Sequence, residues 1–252
     1  MVNLIPALVT GKSCPGVDPV GVADAGYPSP MALLLLVRHA LTDATGRRLS
    51  GQETGLHLSE SGRAQAELLS DRLSPIPLAA LYSSPLERCV ETAEIVARGR
   101  PIEVRLLPQL MEVDYGRWTG RPLPQLYRTA LWKRLQQAPS SIRFPDGETL
   151  GEVQQRCVTA LEEIAGRHAK KAVAVVAHAD VIRLTLAHYA GIHIDLYQRL
   201  TVSPASVSAL SLGDRIPRII RVNDTGSVED LATRRPARRH APRPSGDGRR
   251  LR

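Results

Sequence analysis

An α/β domain built on a mostly parallel sheet is the fold class that this 252-residue chain predicts. Three observations predict it. Continuous short apolar runs at 33–37 and 172–177 have the look of strands buried on both faces. Stretches with helical start signals alternate with such runs. No internal repeat divides the chain. A composition of 43% hydrophobic and 23% charged residues suits one globular body with a substantial core.

The elements follow in order. Residues 33–37 form the first strand. Residues 59–73 form a helix with Ala64, Leu68 and Leu69 on one face. A second strand covers 78–82. Ser84 is placed to cap the next helix, with Pro85 in its first turn and Glu87 three residues beyond the cap. That helix runs to residue 98. Residues 102–106 form a third strand, and 122–137 are helical. Thr149 and Glu152 make a capping box that opens a helix to residue 168. The fourth strand, 172–177, leads into a helix over 180–189. Late strands are expected at 206–212 and 218–222. Sites in such sheets lie beyond the carboxyl ends of the strands.

The net charge of +8 is unevenly placed. Residues 231–252 hold eight arginines and one aspartate, which leaves 1–230 nearly neutral. An Arg/Pro/Gly-rich end of this kind cannot bury enough apolar surface to fold, so 227–252 is expected to be a disordered tail. Residues 1–30, rich in Pro and Gly, are expected to be a flexible extension, and 31–226 the folded domain. Within that extension Gly11-Lys12-Ser13 resembles the end of a phosphate-binding loop. The loop needs glycine five residues before Gly11, and Pro6 stands there. The longest dense apolar run, 32–37, is too short to span a bilayer. No charged segment precedes the apolar stretch 2–9, which Pro6 interrupts, so no secretory signal is expected. Cys14, Cys89 and Cys157 are too few and too scattered for a disulfide framework or zinc ribbon. A cytoplasmic protein is the expectation.

Two strand ends carry unusual chemistry. The first strand ends in Arg38-His39-Ala40 and the fourth in His178-Ala179-Asp180. A single histidine at such a place is more often packed or capping. Two of them, one preceded by arginine, point to a site.

Around these residues the chain resembles the histidine phosphatase superfamily, which includes cofactor-dependent phosphoglycerate mutases and acid phosphatases. Five segments carry the resemblance in order across 32–222. They are Arg38-His39-Ala40; Leu58-Ser59-Glu60-Ser61-Gly62-Arg63-Ala64; Tyr82-Ser83-Ser84-Pro85-Leu86-Glu87-Arg88; Glu112-Val113-Asp114-Tyr115-Gly116-Arg117-Trp118; and Val176-Ala177-His178-Ala179. The resemblance implies a three-layer sandwich of the phosphoglycerate mutase type, its central sheet flanked by helices. It is similar to a bacterial branch described as phosphomutases.

The resemblance also implies roles. His39 attacks phosphorus and carries the phosphoryl group. Arg38, Arg88 and His178 bind phosphate, the arginines through forked hydrogen bonds and lowered imidazole basicity. Glu112 is the proton donor, with Asp114 and Glu53 as alternatives; a bound phosphate dianion would raise its pKa. Thr45, Ser50 and Gly51 meet the substrate in the loop 41–51. Thr45 stands where many members have asparagine, and Ala40 and Ala179 replace glycines, which puts fine geometry in question. Residues 121–149 are expected to cover the site, with Arg121, Arg128, Lys133, Arg134 and Arg143 as charges and Tyr127, Trp132 and Phe144 as apolar walls. Most of these are expected to be surface charges or packing residues. His57 is a loop residue, and His188 and His193 lack a ligand partner in sequence, so neither a metal nor another cofactor is expected.

The long insertion and Glu-Arg-His-Tyr-Gly motif of glycolytic mutases are absent. Hydrolysis of a small phosphorylated metabolite is therefore the leading expectation. A phosphomutase moving phosphate between hydroxyls of one metabolite is the first alternative. A catalytically weak domain that binds phosphorylated ligands is the second, and nucleic-acid binding through the tail a third, disfavoured one. Sequence leaves substrate identity and oligomeric state open.

Overall fold

The computed structural model describes residues 31–213 and 216–226. The expected extension 1–30 and tail 227–252 lie outside the described residues. Six strands form one sheet: β1 (Ala32–Arg38), β2 (Leu78–Ser83), β3 (Val104–Leu106), β4 (Ala172–Ala177), β5 (Val207–Leu212) and β6 (Arg218–Asp224). Their order is β3-β2-β4-β1-β5-β6. The first four pair in parallel, and β5 runs antiparallel to both its neighbours. β5 is thus the single reversed strand of a mixed, mostly parallel sheet.

The apolar runs are continuous because both faces of the sheet are covered. On one face Leu35, Val37, Ala174 and Val176 pack with Ala66, Leu69 and Leu73 of α1 (Glu60–Leu73) and with Cys89, Ala93 and Val96 of α2 (Glu87–Ala97). On the other, Leu34, Leu36, Val173 and Val175 pack with residues of two later helices. Those two contribute residues such as Val153, Leu161, Val181 and Leu184. Burying each such Leu or Val contributes about 1.5–3 kcal/mol. Two short helices, α3 (Leu123–Leu126) and α4 (Ala130–Gln137), precede α5 (Leu150–Arg167) and α6 (Ala179–Tyr189).

Strand register positions the site. Arg38 pairs with Ala177 at the carboxyl ends of β1 and β4. The next residues, His39 and His178, therefore leave the centre of the sheet side by side.

Several expectations need correction. The buried stripe of α1 is Gly62, Ala66, Leu69 and Leu73, whereas Ala64 is exposed and Leu68 is 64% exposed. The cause is the approach of the helix to the backbone of residue 41. A Cβ on Gly62 would sit 2.0 Å from the Leu41 carbonyl oxygen, so glycine turns inward and rotates the stripe. Ser84 does not cap α2. That helix starts at Glu87, after Leu86, with no side-chain cap. Residues 102–103 lie outside β3, and 122–137 is two helices. The break falls where Thr129 Oγ1 accepts from Trp132 N at 3.1 Å and caps α4. The capping box formed by Thr149 and Glu152 is present at α5.

Gly62→Ala sets two effects against each other. Helix propensity favours alanine by about 1 kcal/mol, while overpacking against backbone costs about 1–3 kcal/mol or more. The contact is with a carbonyl that cannot swing away, so the variant is expected to unfold at lower urea concentration. A midpoint equal to or above that of the parent would contradict the packing account.

Candidate active site

The two histidines differ in access. His39 is 7% exposed and His178 is fully buried. Their ring centroids lie 5.3 Å apart at 61°. His39 N donates to Ala177 O at 3.0 Å, which ties the end of β1 to β4. Nδ1 of His39 lies 2.8 Å from Ala40 O. A carbonyl oxygen only accepts, so Nδ1 carries the proton and Nε2 of the neutral ring keeps its lone pair. Burial, then the guanidiniums of Arg88 and Arg38, hold this imidazole well below the ordinary histidine pKa. Burial, then Arg88, His39 and Arg38, do the same to His178. His178 Nε2 lies 2.8 Å from Ser84 Oγ, the serine that sequence had assigned to a helix cap.

Each guanidinium is held by carbonyl oxygens. Arg88, in the first turn of α2, is 1% exposed. It donates from Nη2 to Gly51 O at 2.7 Å and from Nη1 to Glu53 O at 3.3 Å. Arg38 donates from Nη1 to Val202 O at 2.7 Å, and its Nε is buried without a partner among the described residues. Thr92 links the two sides: its hydroxyl donates to Arg88 O at 2.7 Å and accepts from Ala40 N at 3.2 Å. Two cations beside two neutral imidazoles form a pocket suited to an anion.

Glu112 stands in the same electrostatic environment and is 8% exposed. Its Oε1 accepts from Val113 N at 3.0 Å. Burial, then the Asp180 carboxylate, push its pKa up to about 7; the Val113 N–H and the Arg88 and Arg38 charges pull the other way. The rise therefore arises from the protein itself, where sequence had invoked bound phosphate. Asp180, in the first turn of α6, accepts from Tyr115 OH at 2.6 Å and from Arg183 Nη1 at 2.9 Å.

A family profile, the histidine phosphatase superfamily (branch 1), matches residues 34–225. The chain belongs to this superfamily. Phosphoserine phosphatase 1 of Hydrogenobacter thermophilus is 32% identical over 200 residues, covering 77% of this chain and 93% of that protein. Phosphoglycerate mutase-like protein 4 of Arabidopsis thaliana is 31% identical over 157 residues, covering 60% of this chain and 68% of that one. Among solved structures, Bacillus stearothermophilus YhfR is similar at 29% identity with a TM-score of 0.72, covering 77% of this chain and 97% of that one.

In this member of the superfamily the loop residues separate. Gly51 (φ +51°) brings its carbonyl to Arg88, and a Cβ there would lie 2.8 Å from the Tyr115 ring. Thr45 Oγ1 instead closes its own turn, accepting from Thr42 N at 3.1 Å. Ser50 accepts from Glu53 N through its backbone oxygen at 3.0 Å. The alternatives to Glu112 each have one oxygen engaged: Asp114 Oδ1 accepts from Gly116 N at 2.8 Å, and Glu53 Oε1 pairs with Arg48 at 3.1 Å, while Glu53 Oε2 is buried without a hydrogen-bond partner among the described residues. Ala40 and Ala179 are not among the non-glycine residues with positive φ, so alanine fits there without backbone strain. Trp132 stacks on Trp118 and Phe144 packs edge-on against Tyr115 and Trp118, so these rings belong to the hydrophobic core on that face of the sheet. Among the described residues no group of three or more His, Cys, Asp or Glu side chains is placed to hold a metal ion. Sequence reasoning gave no role to Asp180, Tyr115 or Arg183. The carboxylate two residues after His178, at a helix start, was the available signal.

Both imidazoles are expected to remain neutral at about pH 6, where a free histidine is largely protonated. Nitrogen-15 chemical shifts of the free protein check this. An imidazolium signal for His39 at that pH would remove the basis for its lone pair.

Proposed function

We propose that this protein is a phosphatase that hydrolyses a small phosphorylated metabolite through a phosphohistidine on His39. The observation that carries the reading is the neutral His39 ring, its Nδ1 at Ala40 O, in the field of the buried Arg88 and the half-buried Arg38 guanidiniums. In the first step Nε2 attacks phosphorus. The bond to the leaving oxygen breaks, its electron pair stays on that oxygen, and the Glu112 carboxyl supplies the proton. Arg38, Arg88 and His178 hold the equatorial oxygens, over which the transferring charge is spread. In the second step water attacks phosphorus and the Glu112 carboxylate takes its proton. The P–N bond breaks, phosphate leaves and the neutral ring is restored. Gly51 is the loop residue whose place best supports a role at the site. Thr45 and Ser50, in the same loop, are proposed to meet the substrate.

Hydrolysis is favoured by the name and coverage of the bacterial phosphoserine phosphatase relative, and by the Tyr115-Gly116-Arg117-Trp118 segment after Glu112. The Arabidopsis mutase-like relative keeps a second reading in view: the same first step, with a hydroxyl of the metabolite accepting phosphate in place of water. The proposed catalytic unit is 31–226, within which the family match falls. No helix of the described residues is long and apolar enough to cross a membrane. We place the protein in the cytoplasm on its sparse cysteines, with Cys89 and Cys157 buried as free thiols.

A panel of phosphorylated metabolites, with and without sugar-phosphate or glycerate acceptors, tests the reaction. Release of inorganic phosphate is expected, and His39→Ala should lower it by more than about 10³-fold. Isomerised product without release would establish the mutase reading, and undiminished turnover in His39→Ala would remove the nucleophile.

The proton donor works only while protonated. Raising the pH through its pKa, about 7, is therefore expected to lower kcat/KM on the alkaline side. Asp180→Asn removes a neighbouring negative charge, so the limb should move to lower pH, and in Glu112→Gln it should disappear. A limb that stays put in both variants belongs to another group.

A further inference from the structure

The segment carrying Glu112 has little regular structure of its own, yet its backbone is held closely. A 3₁₀ turn at Pro108–Leu110 ends before it, and no strand partner follows. The holding groups come from elsewhere in the chain. Arg156 of α5 forms a two-point fork with Glu148, Nε to Oε1 at 2.8 Å and Nη2 to Oε2 at 2.9 Å. The remaining donors of the same guanidinium turn to the Glu112 segment. Nη1 donates to Gln109 O at 2.6 Å and Met111 O at 2.8 Å, and Nη2 to Glu112 O at 3.1 Å. Glu148 grips the other side: its Oε2 accepts from Asp114 N at 2.9 Å, and its own N–H donates to Asp114 O at 2.9 Å. The backbone is thereby fixed on both sides of Glu112, whose side chain points away to the site while its carbonyl is tied to α5.

We propose that Arg156 and Glu148 are positioning residues that set the reach of the Glu112 carboxyl toward the leaving oxygen. Neither touches substrate. The guanidinium is planar with donors in a fixed fork, so it holds three carbonyls and a carboxylate at once; a lysine ammonium keeps the charge and loses that geometry. Proton transfer requires hydrogen-bond reach, and a displacement of about 1 Å costs on the order of 10²-fold in rate. The proposal rests on the reading of Glu112 as proton donor.

The test compares two substrates of different leaving group. An alkyl phosphate ester needs a proton on its leaving oxygen; p-nitrophenyl phosphate leaves as a stable phenolate and needs none. Arg156→Lys and Glu148→Gln are each expected to lower kcat/KM for the alkyl ester by on the order of 10²-fold, and for the nitrophenyl ester several-fold at most. Affinity for inorganic phosphate, which reports the Arg38, Arg88 and His178 pocket, should stay within about twofold of the parent. Two variants at opposite ends of the fork guard against one failing to fold. Equal losses on both substrates, or no loss, would overturn the positioning role. Glu112→Gln, measured alongside, separates the two claims. If it discriminates between the substrates and the fork variants do not, only the positioning role falls. If Glu112→Gln itself fails to discriminate, the proton-donor assignment falls and the positioning role with it.

Discussion

Two guanidiniums that act on the His39 imidazole, Arg88 buried and Arg38 half-buried, with carbonyl oxygens as their partners, are the constraint from which the rest of the site follows. Among the described residues neither Arg38 nor Arg88 makes a salt bridge to a carboxylate. Their partners are the backbone oxygens of Val202, Gly51 and Glu53. Such an arrangement leaves the positive charge without a direct ion-pair partner in a place where charges interact strongly. At an effective dielectric near 20, unit charges 4 Å apart interact by about 4 kcal/mol. The same field disfavours imidazolium and favours an entering anion. A neutral nucleophile and an anion pocket are thus two consequences of one arrangement.

That arrangement needs rigid supports, and the fold supplies them. His39 and His178 follow paired residues of two central parallel strands, and Arg88 sits in the first turn of a helix packed on the same sheet. Their positions follow from strand register and core packing. Glu112 has no such support. Its place depends on a glutamine, Gln52, donating to its carbonyl at 2.9 Å, and on the fork from α5. The proposed nucleophile and phosphate pocket are therefore fixed by secondary structure, and the proposed proton donor by side chains reaching its backbone. Asp180, Tyr115 and Arg183 join the two parts, since Tyr115 belongs to the Glu112 segment and Asp180 to the helix that follows His178.

How much of this was legible in the sequence depends on how local each signal is. Apolar runs at 33–37 and 172–177 located the central strands because burial on both faces leaves no polar alternation to confuse the pattern. The histidines were legible because they directly follow those runs. Arg88 and Glu112 were reached through the resemblance, since nothing local distinguishes them from surface residues. The face of α1 was misread because the deciding contact, Gly62 against Leu41, lies between segments and involves the absence of a side chain. Ser84 was misread because a serine before Pro85 satisfies the local rule for a cap, while its actual neighbour, His178, is 94 residues away. Arg156 carries no local mark either; its partners lie between 8 and 47 residues back along the chain. Alanine at 40 and 179 looked like a departure with geometric cost, yet neither residue needs a left-handed backbone.

The central claim is covalent loading of one imidazole nitrogen, and trapping that adduct tests it most directly. The protein is mixed with a turned-over phosphate ester, quenched in alkali, where a phosphohistidine survives, then digested and sequenced by mass spectrometry. The account predicts phosphate on His39 alone, bonded through Nε2, absent from His39→Ala and lost when the quenched sample is acidified. Steady turnover with no covalent phosphate, or phosphate on any other residue, would contradict it.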